Sequence, residues 1–555
     1  MAACSLAKVP YDVLLLIVGL LRCEDSLHLI QTCTSLYHLT DIKAFWLKIA
    51  RMLQQSRPLP LVHPLSLEGL DIPELRTTII RALRLESKWS GREGTDPSPL
   101  KCMEIEPAAH TPGHSGDDRR ITWVRLLHDG IHMSCAFVDE VVQLWHLPSN
   151  KLILTFDTGG TLVKASQNTT KDHWMLVGTV DMGVEEDMLC LWKYSWSASE
   201  VTEGLVPVAS HLIPGRVDCV FNVNGLAGLA YIATELDESF TQHEADEYGF
   251  LVFQTAEWEL PSRPLRRFTP LGYFPDNHAM RARDDLTLFG RNSLYMIVGF
   301  DYLTRTTVYA YDMHLFNDFS NWEDPAQVVY PHIKVEYELH PEDARRWQSS
   351  GLALAWSQCT MSWNNSSIGT LGFYQLFSLT GEERCFLSVS TLSLSPLAAH
   401  DESGAASPEE YRRCLIGAET SDKVFCNTER GHLFVCRLGL YGINCVWPLS
   451  HPGTHAIKEV VIARFFSGDQ TQISFKDSSF DIEVHSQEHE PPVASESSST
   501  GIDNSDLGVG GTVVNINVES WISRSEIAED ICLDDRHGRV AIGTSSGKVL
   551  IFDFL

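Results

Sequence analysis

The sequence lacks any apolar run of the roughly 20 residues that a membrane-crossing helix takes. The run near its start, Val13 to Leu21, has nine residues. Fourteen cysteines are present, but none are paired as Cys-x-x-Cys and no spacing repeats. Several sit inside apolar strand-like runs, such as Cys190 in "MLCLW" and Cys436 in "HLFVC", where a thiol behaves as a small hydrophobe. That usage argues against a disulfide framework and against a zinc ribbon. Basic residues are also scarce. There are 43 Lys and Arg against 72 Asp and Glu, for a net charge of −29. Such a deficit argues against nucleic acid or an anionic membrane as the main partner.

The deficit is uneven. Residues 1–92 hold eleven Lys/Arg and eight Asp/Glu, whereas the remainder holds 32 and 64. Two parts with different tasks are expected.

"AKVPYDVLLLIVGLLRC" at the start has a lysine ahead of an apolar core, as a secretory leader does. It lacks small residues at cleavage positions after that core, and Pro10 and Asp12 before it are helix-start chemistry. The expected compartment is therefore cytoplasmic or nuclear, where the Asn168, Asn364 and Asn365 sequons have no role. On a helix, Leu14, Ile17, Val18 and Leu21 share one face, and Val13, Leu16 and Leu20 fill another. A helix apolar nearly all round has to be covered on more than one side. Two further helices are expected, one in "EDSLHLIQTCTSLYHLT" and one in "IKAFWLKIARML".

These residues resemble an F-box, whose opening reads Leu-Pro-x-Glu followed by spaced apolar anchors. Pro10 takes the proline, Asp12 stands for the glutamate, and Val13, Ile17 and Leu21 take the anchors. Cys33 falls near the family's Val-Cys position and Trp46 near its late tryptophan. The sequence departs from the pattern at Val9, at Asp12, and at Ser35-Leu36-Tyr37 where Arg-x-Trp is common. The resemblance implies a small all-α module over residues 1–55 that docks on the Skp-family adaptor of a cullin ubiquitin ligase. The adaptor-contacting residues would be Pro10, Asp12, Val13, Leu14, Ile17 and Leu21. The competing reading is a helical subdomain packed only on its own chain.

Residues 56–99 read as a helical linker. Asp71 and Glu74 have capping-box spacing, and Pro73 suits a first turn. Leu75, Ile79, Ala82 and Leu83 form an apolar face, while Arg76, Arg81, Arg84 and Lys88 lie on others.

From about residue 100 to 555 the texture is short apolar and aromatic runs broken by Gly, Asp, Asn and Pro, which reads as all-β. A degenerate phrase recurs: "VVQLWH" at Trp145, "MLCLWK" at Trp192, "GFLVFQ" at Phe253, "TVYAYD" at Tyr311, "LGFYQ" at Tyr374, "HLFVCR" at Cys436 and "KVLIFD" at Phe552. Steps of 47, 61, 58, 63 and 62 residues carry it to Cys436. That recurrence suits four-stranded units plus loops, and the last copy resembles a WD-type hairpin with Asp553 as its acid. The resemblance implies a β-propeller of about seven blades, with an eighth copy around "ISFKDSSFDIEV" as an alternative count. A β-sandwich or several small β domains is the competing architecture. "LKCMEIE" at 100–106 is a candidate fourth strand for the last unit, borrowed from the other end of the chain. Residues of about 485–511, rich in Ser, Pro, Gly and acids, read as a disordered rim loop.

Three catalytic patterns fail on context. "GTSSG" at 543–547 matches G-x-S-x-G with Ser545 as nucleophile, but a strand rather than a helix is expected after it. The same turn lacks both the glycine spacing and the Ser/Thr of a phosphate loop. "HSQEH" at 485–489 matches H-x-x-E-H, yet Pro491 and Pro492 follow in the loop, where the zinc motif needs a helix. No catalytic residue, metal or cofactor is expected. The F-box resemblance implies a non-catalytic substrate-recognition subunit that binds adaptor, cullin and an unidentified protein substrate, and neither nucleic acid nor membrane is expected as partner. A scaffold without ligase output is the alternative, and a serine or zinc hydrolase is the outlying one.

Overall fold

In the computed structural model the described residues are 9–60, 67–89, 96–110, 120–196, 437–464 and 512–555, apart from short gaps; strands between 205 and 426 are described by backbone pairing. A small helical region comes first and a much larger, mostly β region follows.

The helical region runs through α1 (Tyr11–Val18), α2 (Cys23–Gln31), α3 (Thr34–Tyr37), α4 (Lys43–Ser56) and α5 (Ile72–Trp89). The stretch expected as one second helix is two. The Thr32 hydroxyl donates to the Leu29 carbonyl at 2.7 Å, and Cys33 is extended with φ −158°. Side-chain-to-backbone bonding of this kind competes with the helix ladder and ends α2 there. Phe45, Trp46, Ile49 and Leu53 of α4 are buried and form one core with Leu14 and Val18 of α1 and Ile30 of α2. Trp46 Nε1 donates to the Thr40 carbonyl at 2.8 Å, which satisfies its polar atom on the way into that core.

The capping box of α5 forms as its spacing predicts. Asp71 N–H donates to Glu74 Oε2 at 2.9 Å, and Glu74 N–H donates to Asp71 Oδ1 at 2.8 Å. Two otherwise unpaired helix-end donors are satisfied reciprocally. The apolar face of α5 then serves two cores in succession. Leu75, Ile79 and Ala82 belong to the core of the helical region, and Leu85 and Trp89 to that of the last two sheets.

Among the described residues seven sheets follow in chain order, antiparallel except where Arg266–Pro270 and Val328–Val329 pair in parallel. Sheet I holds Ile121–Leu126, His132–Phe137, Val141–His146 and Lys151–Asp157; sheet II holds Thr161–Thr169, His173–Asp181, Asp187–Ser195 and Leu205–Leu212. Sheet III is built on Arg216–Val223, sheet IV on Thr287–Arg291, sheet V on Leu352–Met361 and sheet VI on Arg437–Leu438 as first strands. Sheet VII takes Ala528–Asp534, Arg539–Thr544 and Val549–Asp553, and its fourth strand is Lys101–Ile105, paired with Lys101 opposite Asp553 and Ile105 opposite Val549. The strand before the first unit therefore completes the last one, and an otherwise exposed edge is covered.

The recurring phrase marks third strands in sheets I, II, III, IV and VII. In sheet V it falls on the second strand, Gly369–Leu379, while the third is Cys385–Leu394. Both are interior strands with neighbours on each side, so the same apolar pattern suits either. "HLFVCR" lies outside the described residues except Arg437, which opens the first strand of sheet VI, whose third is Ile457–Arg464. The "ISFKDSSFDIEV" segment and residues 485–511 also lie outside the described residues.

First strands of successive sheets touch from sheet II through to VII, and the first strand of VII touches that of I. Sheets I and II share a core that includes Trp123, Leu144, Trp174 and Trp192. At the inner junction Asp530 of sheet VII, 1% exposed, accepts from Arg125 of sheet I at 2.5 Å and from Arg437 of sheet VI at 3.1 Å, and also from the Val124 N–H at 2.9 Å. One buried carboxylate thus ties three consecutive first strands. Six cysteines are free thiols among the described residues, three of them buried. Burial pushes the Cys190 thiol up to about 11 and the Cys532 thiol up to about 12.

Candidate functional site

α1 starts after Pro10, whose φ of −55° and ψ of 146° lead the chain into the helix, and both the Val13 and Leu14 N–H groups donate to the Pro10 carbonyl at 3.1 Å. Asp12 sits in the first turn, favourably placed against the positive end of the peptide dipoles. At the other end Gly19 N–H donates to the Leu15 carbonyl, and the Ser26 hydroxyl donates to the Val18 carbonyl at 3.4 Å.

Burial divides the helix. Leu14 and Val18 are 6% and 0% exposed and pack into the helical core, whereas Val13, Leu16 and Leu20 are 43%, 66% and 87% exposed. Spacing of i and i+3 sets Val13 and Leu16 on one outward face of α1, and Leu20, in the turn after Gly19, carries the exposed apolar stripe just past its end. Pro10 and Asp12 are exposed beside it, and Ile17 and Leu21 are half-buried along its margin. Of the six residues expected to meet a partner, five therefore reach the surface. Leu14 does not, because α2 and α4 pack over that side of α1.

Leu16 and Leu20 are exposed apolar residues outside the expected contact set. The apolar run itself carried them, on the second of its two faces. Which face turns inward is set by where the neighbouring helices pack, and an all-apolar helix leaves that open. Trp46, matched to the late tryptophan, is buried, and Cys33 is exposed at the start of α3.

The described β surface offers a cleft of about 420 Å³ beside sheets VII and I, lined by Glu104, Glu106, His110, Trp145 and Asn150 among others. Lys548 Nζ lies 2.5 Å from Glu104 and 3.8 Å from Glu106, so both carboxylates already face a cation of the same chain.

Ser545 occupies the tight turn between the strands Arg539–Thr544 and Val549–Asp553. Its N–H donates to the Ile527 carbonyl at 3.0 Å, and Gly547 adopts φ +84°. A strand follows it, which is not the strand–turn–helix elbow of a serine hydrolase. The His485, Glu488 and His489 pattern lies outside the described residues. Among the described residues there is no group of three or more His, Cys, Asp or Glu placed to hold a metal, and no helix long and apolar enough to cross a membrane.

No family model matches the chain, and no curated protein matches it. Solved structures similar to it include the WD40 domain of SCAP from fission yeast, at 8% identity over 79% of this chain and 82% of that one, with a TM-score of 0.38. Others are the β-propeller domain of Myceliophteria thermophila Cps50 (Swd1), at 10% identity over 82% and 99% with a TM-score of 0.41, and a chain of the mitotic checkpoint complex, at 8% over 84% and 98% with 0.39.

Proposed function

We propose that the chain is the substrate-recognition subunit of an Skp–cullin–F-box ubiquitin ligase. On this reading residues 1–55 are the F-box that docks on the adaptor, and residues 100–555 are a WD-type propeller that holds a protein substrate. The observation that carries it is the outward stripe of Val13 and Leu16 on a helix whose opposite face is already packed, continued by Leu20 in the turn just past its end. Fully burying an exposed Leu is worth about 1.5–3 kcal/mol, so covering Leu20 and Leu16, with a smaller share from the half-covered Val13, gives an apolar partner groove a reason to bind.

The propeller reading is supported by the seven successive sheets, by the contacts between their first strands, and by the fourth strand of sheet VII drawn from Lys101–Ile105. We take these sheets as seven blades closed in a ring. No catalytic group is assigned to the chain. Its contribution is to hold a substrate lysine at high effective concentration near a charged ubiquitin-conjugating enzyme. Such a subunit works in the cytoplasm or nucleus.

The test is co-purification. Tagged full-length chain is expected to bring down an Skp-family adaptor and a cullin, and Leu16→Asp with Leu20→Asp to abolish both while the β region keeps its melting temperature. Retained adaptor in the double variant contradicts the docking assignment. Adaptor binding with no protein accumulating when the chain is deleted makes it a scaffold without ligase output.

A further inference from the structure

The outward stripe of α1 ends beside a cation that comes from another helix. Lys48 of α4 lays its side chain across Gly19, the residue that closes α1: a Cβ added at Gly19 would lie 2.5 Å from Lys48 Cε and 2.9 Å from Nζ. α1 has no basic residue in its own last turn. Lys48 is exposed, and among the described residues its ammonium has no carboxylate or other hydrogen-bond partner. By contrast Arg51, one turn further along α4, is paired with Glu68 at 2.7 Å, and Lys43 Nζ donates to the Glu68 carbonyl at 2.6 Å.

From this placement we infer that Lys48 is the charged end of the adaptor-docking face, and that the adaptor presents a carboxylate at the edge of the groove that receives Leu16 and Leu20. The inference rests on the adaptor-docking reading and adds its polarity. Asp12 marks the N-terminal end of the stripe and Lys48 the C-terminal end, so the face carries opposite charges at its two ends. A partner groove with an acid at one rim therefore accepts α1 in one direction only. Charge arranged this way sets the register and the encounter rate more than the affinity of the contact. Gly19 belongs to the same device, because any larger residue there displaces the lysine stem that crosses it.

A capping role confined to this chain is the competing explanation, since a cation near a helix C-terminus also favours the helix itself. The two separate on salt dependence. Binding of full-length chain to purified Skp-family adaptor is to be measured between 50 and 500 mM salt for wild type, Lys48→Met, Lys48→Glu and Leu16→Asp, with melting temperatures alongside. Lys48→Met is expected to weaken binding about threefold at low salt and Lys48→Glu about tenfold, with a shallower salt dependence in both. If Leu16→Asp abolishes binding but both Lys48 variants keep the wild-type affinity and salt slope, the inference is overturned and the docking face stands. Lowered melting temperatures with unchanged affinity would also overturn it, in favour of capping. If Leu16→Asp binds as wild type does, the docking reading itself fails.

Discussion

Asp534 and His537 sit in the turn where sheet VII meets both sheet I and the helical region. His537 Nδ1 lies 2.8 Å from Asp534 Oδ2, and the His537 N–H donates to Oδ1 at 2.9 Å. Burial alone would raise this carboxyl, but the His537 charge and hydrogen bonds and the nearby Arg539 outweigh it and hold it below the ordinary carboxylate value. Asp129 and His132 repeat the arrangement in sheet I, at 2.6 Å, and there too the hydrogen bonds from His132 overcome burial and hold the acid down. The two turns interlock. Gly130, at φ +69°, has no room for a Cβ because His537 is 2.5 Å away, and Arg539 donates to the Gly130 carbonyl. A carboxyl whose pKa is lowered by folding contributes stability above its unfolded value and loses it as pH falls through the folded one. Asp534→Asn should therefore cost about 3 kcal/mol at pH 6, and the difference from wild type should close as pH falls below about 4. Urea unfolding at several pH values measures it, and a difference that stays constant down to pH 2.5 would contradict this assignment.

Among the elements, α5 joins the two halves of the molecule. Trp89 packs edge-on against Phe554 with ring centroids 5.7 Å apart, Leu85 fills the space that the missing Cβ of Gly538 leaves, and Arg536 Nε donates to the Leu59 carbonyl. Trp89→Ala should lower the melting temperature of the β region as well as loosen the helices, at a cost of about 3–5 kcal/mol. An unchanged β transition would show that α5 merely rests on that surface. The capping box and apolar face of α5 were legible because Asp71, Glu74, Leu75 and Ile79 report local geometry directly. The double allegiance of that face was not, since nothing in the spacing says that Leu85 changes cores after Ala82. In the same way the apolar run from Val13 to Leu21 announced a helix covered on two sides without saying which side was inward. The recurring aromatic phrase falls on the third strand in five sheets but on the second in sheet V, because interior strands of a sheet share one pattern, and its copy at Cys436 lies outside the described residues apart from Arg437 at the first strand of sheet VI. Asp530, which ties three first strands, carries no local signature at all, as its partners Arg125 and Arg437 are hundreds of residues and 93 residues away in the chain.

At the scale of the whole molecule, one acidic β body carries a small helical module by a helix embedded in both. The strand Lys101–Ile105 lies between the two in sequence and belongs to sheet VII in space, so the β region is completed next to the point where the helices attach. This arrangement holds the α1 stripe in a set orientation to the β surface, which suits a subunit whose work is to position one bound protein relative to another. On the proposed reading the exposed stripe of α1 is where the adaptor binds. Amide hydrogen exchange of the full-length chain, with and without purified Skp-family adaptor, tests it directly. Slowed exchange over residues 10–21 is expected when the adaptor is present, with the sheets unchanged; equal exchange over 10–21 in both states, or protection confined to the β region, would contradict adaptor docking on α1.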